Sequence, residues 1–316
     1  MNPAPVGRFA PTPSGRMHLG NVLCMLLAWL SARSQGGSVI LRIEDIDYPR
    51  LMKEGAALME SDLRWLGLDW DEGGSLGGPH APYYQRMRGE LYAEAFHKLE
   101  KAGLLYPCFC SRAQLHSVNA PHLSDGVFVY AGTCRALSQE EAERRRRERT
   151  PAIRLRVPEE VISFQDGHYG LVEENLAREC GDFIVRRADG LYPYQLAVVV
   201  DDGLMGVTQV VRGRDLLSST PRQLYLYRLL GLTPPTFCHL PLLLDSEGRR
   251  LSKRDRDLDL GLLRERFTPQ WLLGQLAWLC GLLDRPEPAS ARDLLPLFSW
   301  EKIPKEDLRL PAAFLS

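Results

Sequence analysis

The chain alternates short apolar runs with longer amphipathic stretches, the pattern of an α/β protein. Arg8, Phe9 and Ala10 close a short strand, and Pro11, Pro13 and Gly15 then bring the backbone round. A helix starts near His18 to Gly20, with Val22, Leu23, Met25, Leu26, Leu27, Trp29 and Leu30 as its apolar positions. β-branched content makes 38–43 a strand. Residues 53–68 read as an amphipathic helix with Ala57, Leu58, Leu63, Leu66 and Leu68 inward, and 73–82 as a Gly/Pro-rich loop. A further helix opens at Tyr83-Tyr84-Gln85-Arg86, carries Leu91, Ala95 and Leu99 on one face, and ends near Gly103. Beyond it, 151–157 and 182–187 read as strands, 164–167 and 188–190 as turns, 219–230 as a helix and 239–244 as an apolar strand. A helical stretch at 271–283 precedes a tail punctuated by Pro286, Pro288, Pro296, Pro304 and Pro311.

The 316 residues suffice for two domains or one large α/β domain with insertions. A formal charge of −1 supplies no global field toward nucleic acid, so any such surface must be a local patch. The best patch is 138–150, with acids early and Arg144 to Arg147 late. That order complements the helix dipole and reads as a solvated helix, with phosphate contact the alternative. No apolar run has the length of a membrane span and the N-terminus lacks a secretion layout, so a cytoplasmic protein is expected. Seven cysteines suggest no disulfide framework. Cys24, Cys180, Cys238 and Cys280 sit in apolar surroundings as buried thiols, whereas Cys108, Cys110 and Cys134 cluster.

Two features carry chemistry. A strand feeding a turn and a helix N-terminus is an anion site, because free N–H groups and the positive dipole end face the ligand. Gly20 lets a nucleotide approach the backbone there, and His18 can donate to a phosphate oxygen. Glu44 follows the strand at 38–43, beyond whose carboxyl end ligands of open sheets lie. Cys108 and Cys110, with Cys134 returning after a loop, offer three thiolates for a tetrahedral structural Zn²⁺. On chemistry alone His116 or His122 supplies the fourth ligand.

The run from Arg8 to Asn21, with His18-Leu19-Gly20-Asn21 at its end, resembles the first signature of class I aminoacyl-tRNA synthetases in their glutamyl branch. Gly248-Arg249-Arg250-Leu251-Ser252-Lys253-Arg254 resembles the second. The resemblance implies a Rossmann-type parallel sheet split by a zinc-bearing insertion, plus a small C-terminal helical module. The expected divisions are 1–105 and 191–256 for the two catalytic halves, 106–190 for the insertion and 257–316 for the module. It implies ATP contacts at His18, Gly20, Asn21, Ser252, Lys253 and Arg254, with His18 and Lys253 catalytic. Glutamate contacts are implied at Arg8, Phe9, Ala10, Pro11, Thr12, Glu44, Tyr194 and Arg212, with Glu44 on the α-ammonium. Arginine suits the two carboxylates. An ion pair from Arg212 to Asp201 or Asp202 is the alternative use of that side chain.

Within the branch, Cys-x-Cys…Tyr-x-x-x-Cys is similar to the glutamyl-queuosine tRNA(Asp) synthetases, which points to Tyr130 as the fourth zinc ligand beside Cys108, Cys110 and Cys134. Glutamyl-tRNA synthetases usually carry asparagine at the position of Val198, and the residues after Lys253 are too few for their anticodon-binding domain. The implied partners are therefore L-glutamate, ATP with Mg²⁺ and queuosine-carrying tRNA(Asp), with no membrane, for a monomer holding one Zn²⁺. A truncated glutamyl-tRNA synthetase, an adenylating enzyme with another acceptor and a non-catalytic RNA-binding relative are the alternatives.

Overall fold

A computed structural model describes residues 3–47, 51–111, 114, 129–251, 259–311 and 314. Strand β1 (Val6–Phe9) leads to helix α1 (Leu19–Arg33) and returns in β2 (Ser38–Leu41). Helix α2 (Gly55–Trp65) then leads to β3 (Glu72–Gly73). The three strands are parallel, with Val6 opposite Ser38 and Ile40 opposite Glu72. Helix α3 (Gly89–Lys101) precedes the inserted region.

The insertion holds β4 (Leu105–Cys108), α4 (Gln139–Glu148), β5 (Ala152–Leu155), β6 (Val161–Asp166), β7 (Gly170–Asn175), α5 (Leu176–Glu179) and β8 (Phe183–Arg186). β4, β5 and β8 form an antiparallel sheet, and β6 and β7 a hairpin. The parallel layer resumes with α6 (Tyr194–Leu204), β9 (Gln209–Gly213), α7 (Thr220–Leu230) and β10 (Thr236–Leu240). β9 and β10 pair in parallel, and the Thr208 N–H donates to the Val6 carbonyl at 2.9 Å. That bond seats β9 beside β1, so the strands run β3-β2-β1-β9-β10, as in a Rossmann sheet. The chain ends with β11 (Leu243–Leu244), α8 (Leu260–Arg266), α9 (Pro269–Leu279), α10 (Ala291–Leu294) and β12 (Leu308–Arg309).

Both faces of the layer are covered, and strand alternation assigns the sides. Phe9, Val39, Leu41 and Val211 enter one core, with α1, α2, Leu272, Leu276 and Leu310. Ile40 and Val210 enter the other, with Tyr92, Leu99, Leu196, Val199 and Leu226. α1 is apolar all round because it is buried between the sheet and the C-terminal helices. The C-terminal residues thus share the core of the first half, where the sequence suggested a module packed beside it. Among the described residues no helix is long and apolar enough to cross a membrane.

Several local expectations are corrected. The helix expected at 53–68 is shorter: Glu54, at φ 60°, lies outside it, Ala57 is exposed and Met59 faces inward. The helix expected to open at Tyr83 begins as a 3₁₀ turn, Gln85–Met87, before α3. Phe164 to Asp166 lie in β6, not in a turn, since Phe164 packs edge-on against Phe237 at 6.1 Å. The strand expected at 239–244 breaks at Pro241, which has no N–H to give a ladder.

Candidate active site

At the carboxyl ends of β1 and β9 lies a cavity of about 420 Å³, walled by Arg8, Thr12, His18, Glu44, Tyr194 and Arg212 among others. His18 builds one side. As N-cap of α1, its Nδ1 accepts from the Gly20 N–H at 3.1 Å, while its own N–H donates to Asn21 Oδ1 at 3.1 Å. Holding Nδ1 as acceptor places the neutral ring's proton on Nε2, the donor that the sequence reading required. A Cβ at Gly20 lies 3.0 Å from His18 Cε1, so a larger residue there displaces the ring by a few tenths of an ångström. A second cavity of about 190 Å³ adjoins the first, sharing His18, Asn21, Cys24, Gly213 and Asp215 and adding Gly20, Leu242 and Arg250. Burial pushes the Cys24 thiol up to about 11, so it stands between the cavities as a neutral group.

Charge is distributed unevenly around the larger cavity. Arg42 is fully buried and contacts Asp202 at 2.6 Å, Glu44 at 3.1 Å and Asp201 at 3.7 Å. Asp201 also accepts from Arg88 Nε at 2.6 Å, Gln85 at 2.7 Å and Tyr92 at 2.9 Å. Arg8 reaches Asp202 only at 3.7 Å, and its buried Nε has no hydrogen-bond partner. Burial raises the Glu44 pKa and Arg42 opposes the rise. Arg212 is 4% exposed and has only neutral partners: His239 Nε2 at 3.0 Å, Tyr194 Oη at 3.3 Å, Gln223 Oε1 at 2.8 Å, Thr220 Oγ1 at 2.8 Å and the Leu216 carbonyl at 3.4 Å. Among the described residues no carboxylate lies within ion-pairing distance of it. Asp201 and Asp202, which the alternative reading gave to Arg212, serve Arg42 and Arg88 instead. Burial pulls the Arg212 guanidinium below the ordinary arginine value. Arg212 thus has no carboxylate in direct contact; the nearest anion behind it is Asp166, beyond the ring of His239.

Behind Arg212 stands a pair that periodicity did not reveal. His239 Nδ1 donates to Asp166 Oδ2 at 2.6 Å, and its Nε2 accepts from Arg212, so the ring is held neutral. Burial lowers the His239 pKa below 6.5, and the nearby Arg212 charge acts in the same direction. The unfolded chain therefore takes up a proton there that the folded chain refuses, and stability falls as pH drops below 6.5. Burial alone raises the Asp166 pKa, but hydrogen bonds from His239, Tyr169 and His168 outweigh it and hold it below 3.8. Its contribution is complete above 3.8 and is lost in stronger acid. We expect the urea midpoint to decline as pH falls below 6.5, and His239→Gln to flatten that decline.

Of the residues singled out in the sequence, Arg8, Ala10, Pro11, Thr12, His18, Asn21, Glu44, Tyr194 and Arg212 line the larger cavity, and Gly20 lines the smaller. Phe9 does not: strand alternation turns its side chain, 0% exposed, into the core behind Arg8. Ser252, Lys253 and Arg254 lie outside the described residues, as do His116 and His122. Arg250 and Leu251, which lead to Ser252, line the smaller cavity, and Arg250 pairs with Asp215. Arg42, Asp166, Asp215 and His239 escaped the sequence reading, although a charge inside an apolar strand, as at Arg42 and His239, was a signal for a buried network.

At the other end of the insertion, the sulfur atoms of Cys108, Cys110 and Cys134 lie within 4.8 Å of one another. The Cys110–Cys134 separation is 3.7 Å, close to the edge of about 3.8 Å expected for a tetrahedron with Zn–S bonds of about 2.3 Å. Tyr130 Oη lies 3.5 Å from Cys108 Sγ and 3.9 Å from Cys110 Sγ, with the Arg154 guanidinium 3.7 Å over its ring. Burial and the neighbouring Cys108 push the Cys110 thiol up to about 12. Three sulfurs this close cannot ionise together without a cation, so the donor set suits Zn²⁺.

A family model described as tRNA synthetases class I (E and Q), catalytic domain, matches residues 6–277. The chain belongs to this synthetase family. A glutamyl-Q tRNA(Asp) synthetase of Symbiobacterium thermophilum is 54% identical over 313 residues, covering 97% of this chain and 96% of the relative. Glutamate–tRNA ligase 2 of Alkalilimnicola ehrlichii is 46% identical over 277 residues, covering 86% of this chain and 58% of the ligase. Among solved structures, glutamate-tRNA synthetase from Elizabethkingia anophelis superposes with a TM-score of 0.85 at 29% identity, covering 99% of this chain and 69% of that one. The class I synthetase is thus a ligase-type enzyme whose activity is of the glutamate–tRNA synthetase kind, and its fold is the mixed α/β fold of that class.

Proposed function

We propose that the chain activates L-glutamate with ATP and Mg²⁺ and transfers the glutamyl group to the queuosine base in the anticodon loop of tRNA(Asp). The observation that carries the first half is the buried Arg212 guanidinium without an anionic partner in a cavity that Glu44 also faces. Glutamate carries two carboxylates and one ammonium, a set that matches two guanidiniums and one carboxylate on the cavity wall. In this reading Arg212 and Arg8 hold carboxylates, Tyr194 assists and Glu44 takes the ammonium.

Activation joins a glutamate α-carboxylate oxygen to the α-phosphorus of ATP as the bond to the bridging oxygen of pyrophosphate breaks. The departing pyrophosphate takes the electron pair. No side-chain nucleophile is needed; positioning and stabilisation of developing charge do the catalysis. The Nε2 proton of His18 and the N-terminus of α1 serve the phosphates, and Lys253 the pyrophosphate oxygens. Mg²⁺ screens the phosphate charge when bound with ATP.

For the acceptor, support comes from the 54% identity to a relative named for glutamyl-Q tRNA(Asp), matched over 96% of its length. Val198, and Tyr130 beside the three cysteines, point the same way. The test is transfer of labelled glutamate to tRNA(Asp) with and without queuosine, and to tRNA(Glu). We expect label only on queuosine-containing tRNA(Asp); label on tRNA(Glu) overturns the acceptor assignment. Exchange of label between pyrophosphate and ATP without any RNA labelling points to a different acceptor.

A further inference from the structure

The segment 304–310 ties together pieces of the chain that adjoin or line the smaller cavity. Asp307 takes both Nε and Nη2 of Arg214 at 2.5 Å and also accepts the Leu242 N–H at 2.9 Å. Arg214 adjoins Asp215, which faces both cavities, and Leu242 and Leu243 line the smaller one. β12 then pairs with β11: the Leu308 N–H donates to the Leu242 carbonyl at 2.8 Å and the Leu310 N–H to the Leu244 carbonyl at 3.0 Å. From the insertion, His168 Nε2 donates to the Pro304 carbonyl at 3.1 Å and the Tyr169 hydroxyl to the Lys305 carbonyl at 2.8 Å. Gly248, at φ 83°, turns the chain after β11 against Arg309; a Cβ there lies 2.8 Å from its guanidinium. β11, the turn at 245–248 and Arg250, which bridges back to Leu244, form the hairpin that delivers Arg250 and Leu251 to the cavity.

We propose that 304–310 is a strap that positions this hairpin for the activation step, and that Asp307 is its positioning residue. The inference rests on the reading of the two cavities as the glutamate and nucleotide sites. Asp307 touches no reacting atom. It holds Arg214, which adjoins the cavity residues Gly213 and Asp215, to Leu242 of the cavity wall at one separation. The backbone pairing of β12 with β11 and the bonds from His168 and Tyr169 remain when this ion pair is lost. Its loss therefore shows in the local geometry of the nucleotide side.

The experiment compares the full chain with Asp307→Ala and Asp307→Glu. In glutamate-dependent ATP–pyrophosphate exchange, Asp307→Ala is expected to raise KM for ATP by about 10-fold and leave KM for glutamate within about 2-fold, with Asp307→Glu partly restored. Independently of activity, trypsin cleavage after the exposed Arg249 and Arg250 is expected to quicken by about 10-fold in Asp307→Ala at an unchanged urea midpoint. Unchanged cleavage overturns the strap, and so does an equal rise in both KM values, which marks general loosening. Wild-type protein that shows no exchange sinks the activation reading instead, and the cleavage arm still decides the strap.

Discussion

Arg212→Lys is expected to lower kcat/KM for glutamate by at least about 100-fold, or roughly 2.7 kcal/mol of transition-state binding, with KM for ATP nearly unchanged. The charge survives this substitution; the fork does not. Arg212 spends Nε on His239, one Nη on Tyr194 and Gln223 and the other on Thr220 and the Leu216 carbonyl, so its plane is fixed before any ligand arrives. The contacts to Tyr194 and Leu216 are the long ones, at 3.3 and 3.4 Å, and are the two a carboxylate would displace; a lysine ammonium, with three donors on a flexible stem, cannot keep the other three and bind a carboxylate as well. Selection against glutamine is expected too, because its uncharged amide gives a guanidinium on the cavity wall a weaker hydrogen bond than a carboxylate does. Steady-state exchange kinetics with glutamate and glutamine, for both proteins, check both outcomes. A kcat/KM for Arg212→Lys within a few-fold of wild type removes Arg212 from the substrate site.

With Zn²⁺ on the cysteine cluster, as its donor set suits, chelation is expected to unfold one end of the insertion and spare the rest. Tyr106, Cys108, Phe109, Cys134 and Ala142 form a cluster of their own, separate from the two cores on the faces of the parallel layer. Five buried side chains cannot offset the ordering of the chain around them, so such a cluster needs a staple. A structural zinc site supplies about 10–16 kcal/mol of apparent binding energy at neutral pH. Metal analysis should find one zinc per chain, and Cys110→Ser should fall to about a tenth of that or less. Chelation should raise hydrogen exchange at 105–111 and 129–148 while α1 and α6 stay protected. Tyr130→Phe keeps the ring beneath Arg154 and deletes only the oxygen, so it separates ligation from packing: retained stoichiometry with affinity weakened by about 10-fold or more is expected. Metal-free wild-type protein with unaltered exchange at those residues discards the site.

The sequence by itself determined what depends on neighbours along the chain. Pro11, Pro13 and Gly15 dictate the turn, and His18 with Asn21 closes the cap of α1, because capping is settled within four residues. Glu44 follows strand β2 into the cavity, and the Cys-x-Cys spacing places two sulfurs at one metal edge, again by local geometry. The direction of Phe9 is local too: alternation turns its side chain away from the cavity that Arg8 faces. Only the tertiary structure decided which charges are spoken for. Arg42 captures Asp202 across 160 residues and Arg88 captures Asp201 across 113, which leaves Arg212 without an anion. Asp166 from the insertion selects the tautomer of His239, and Asp307 near the chain's end grips Arg214. The physical reason is competition: a buried guanidinium pairs with whichever carboxylate the fold brings within about 4 Å, and at that distance in a poorly screened interior the partner is set by packing, not by position in the chain.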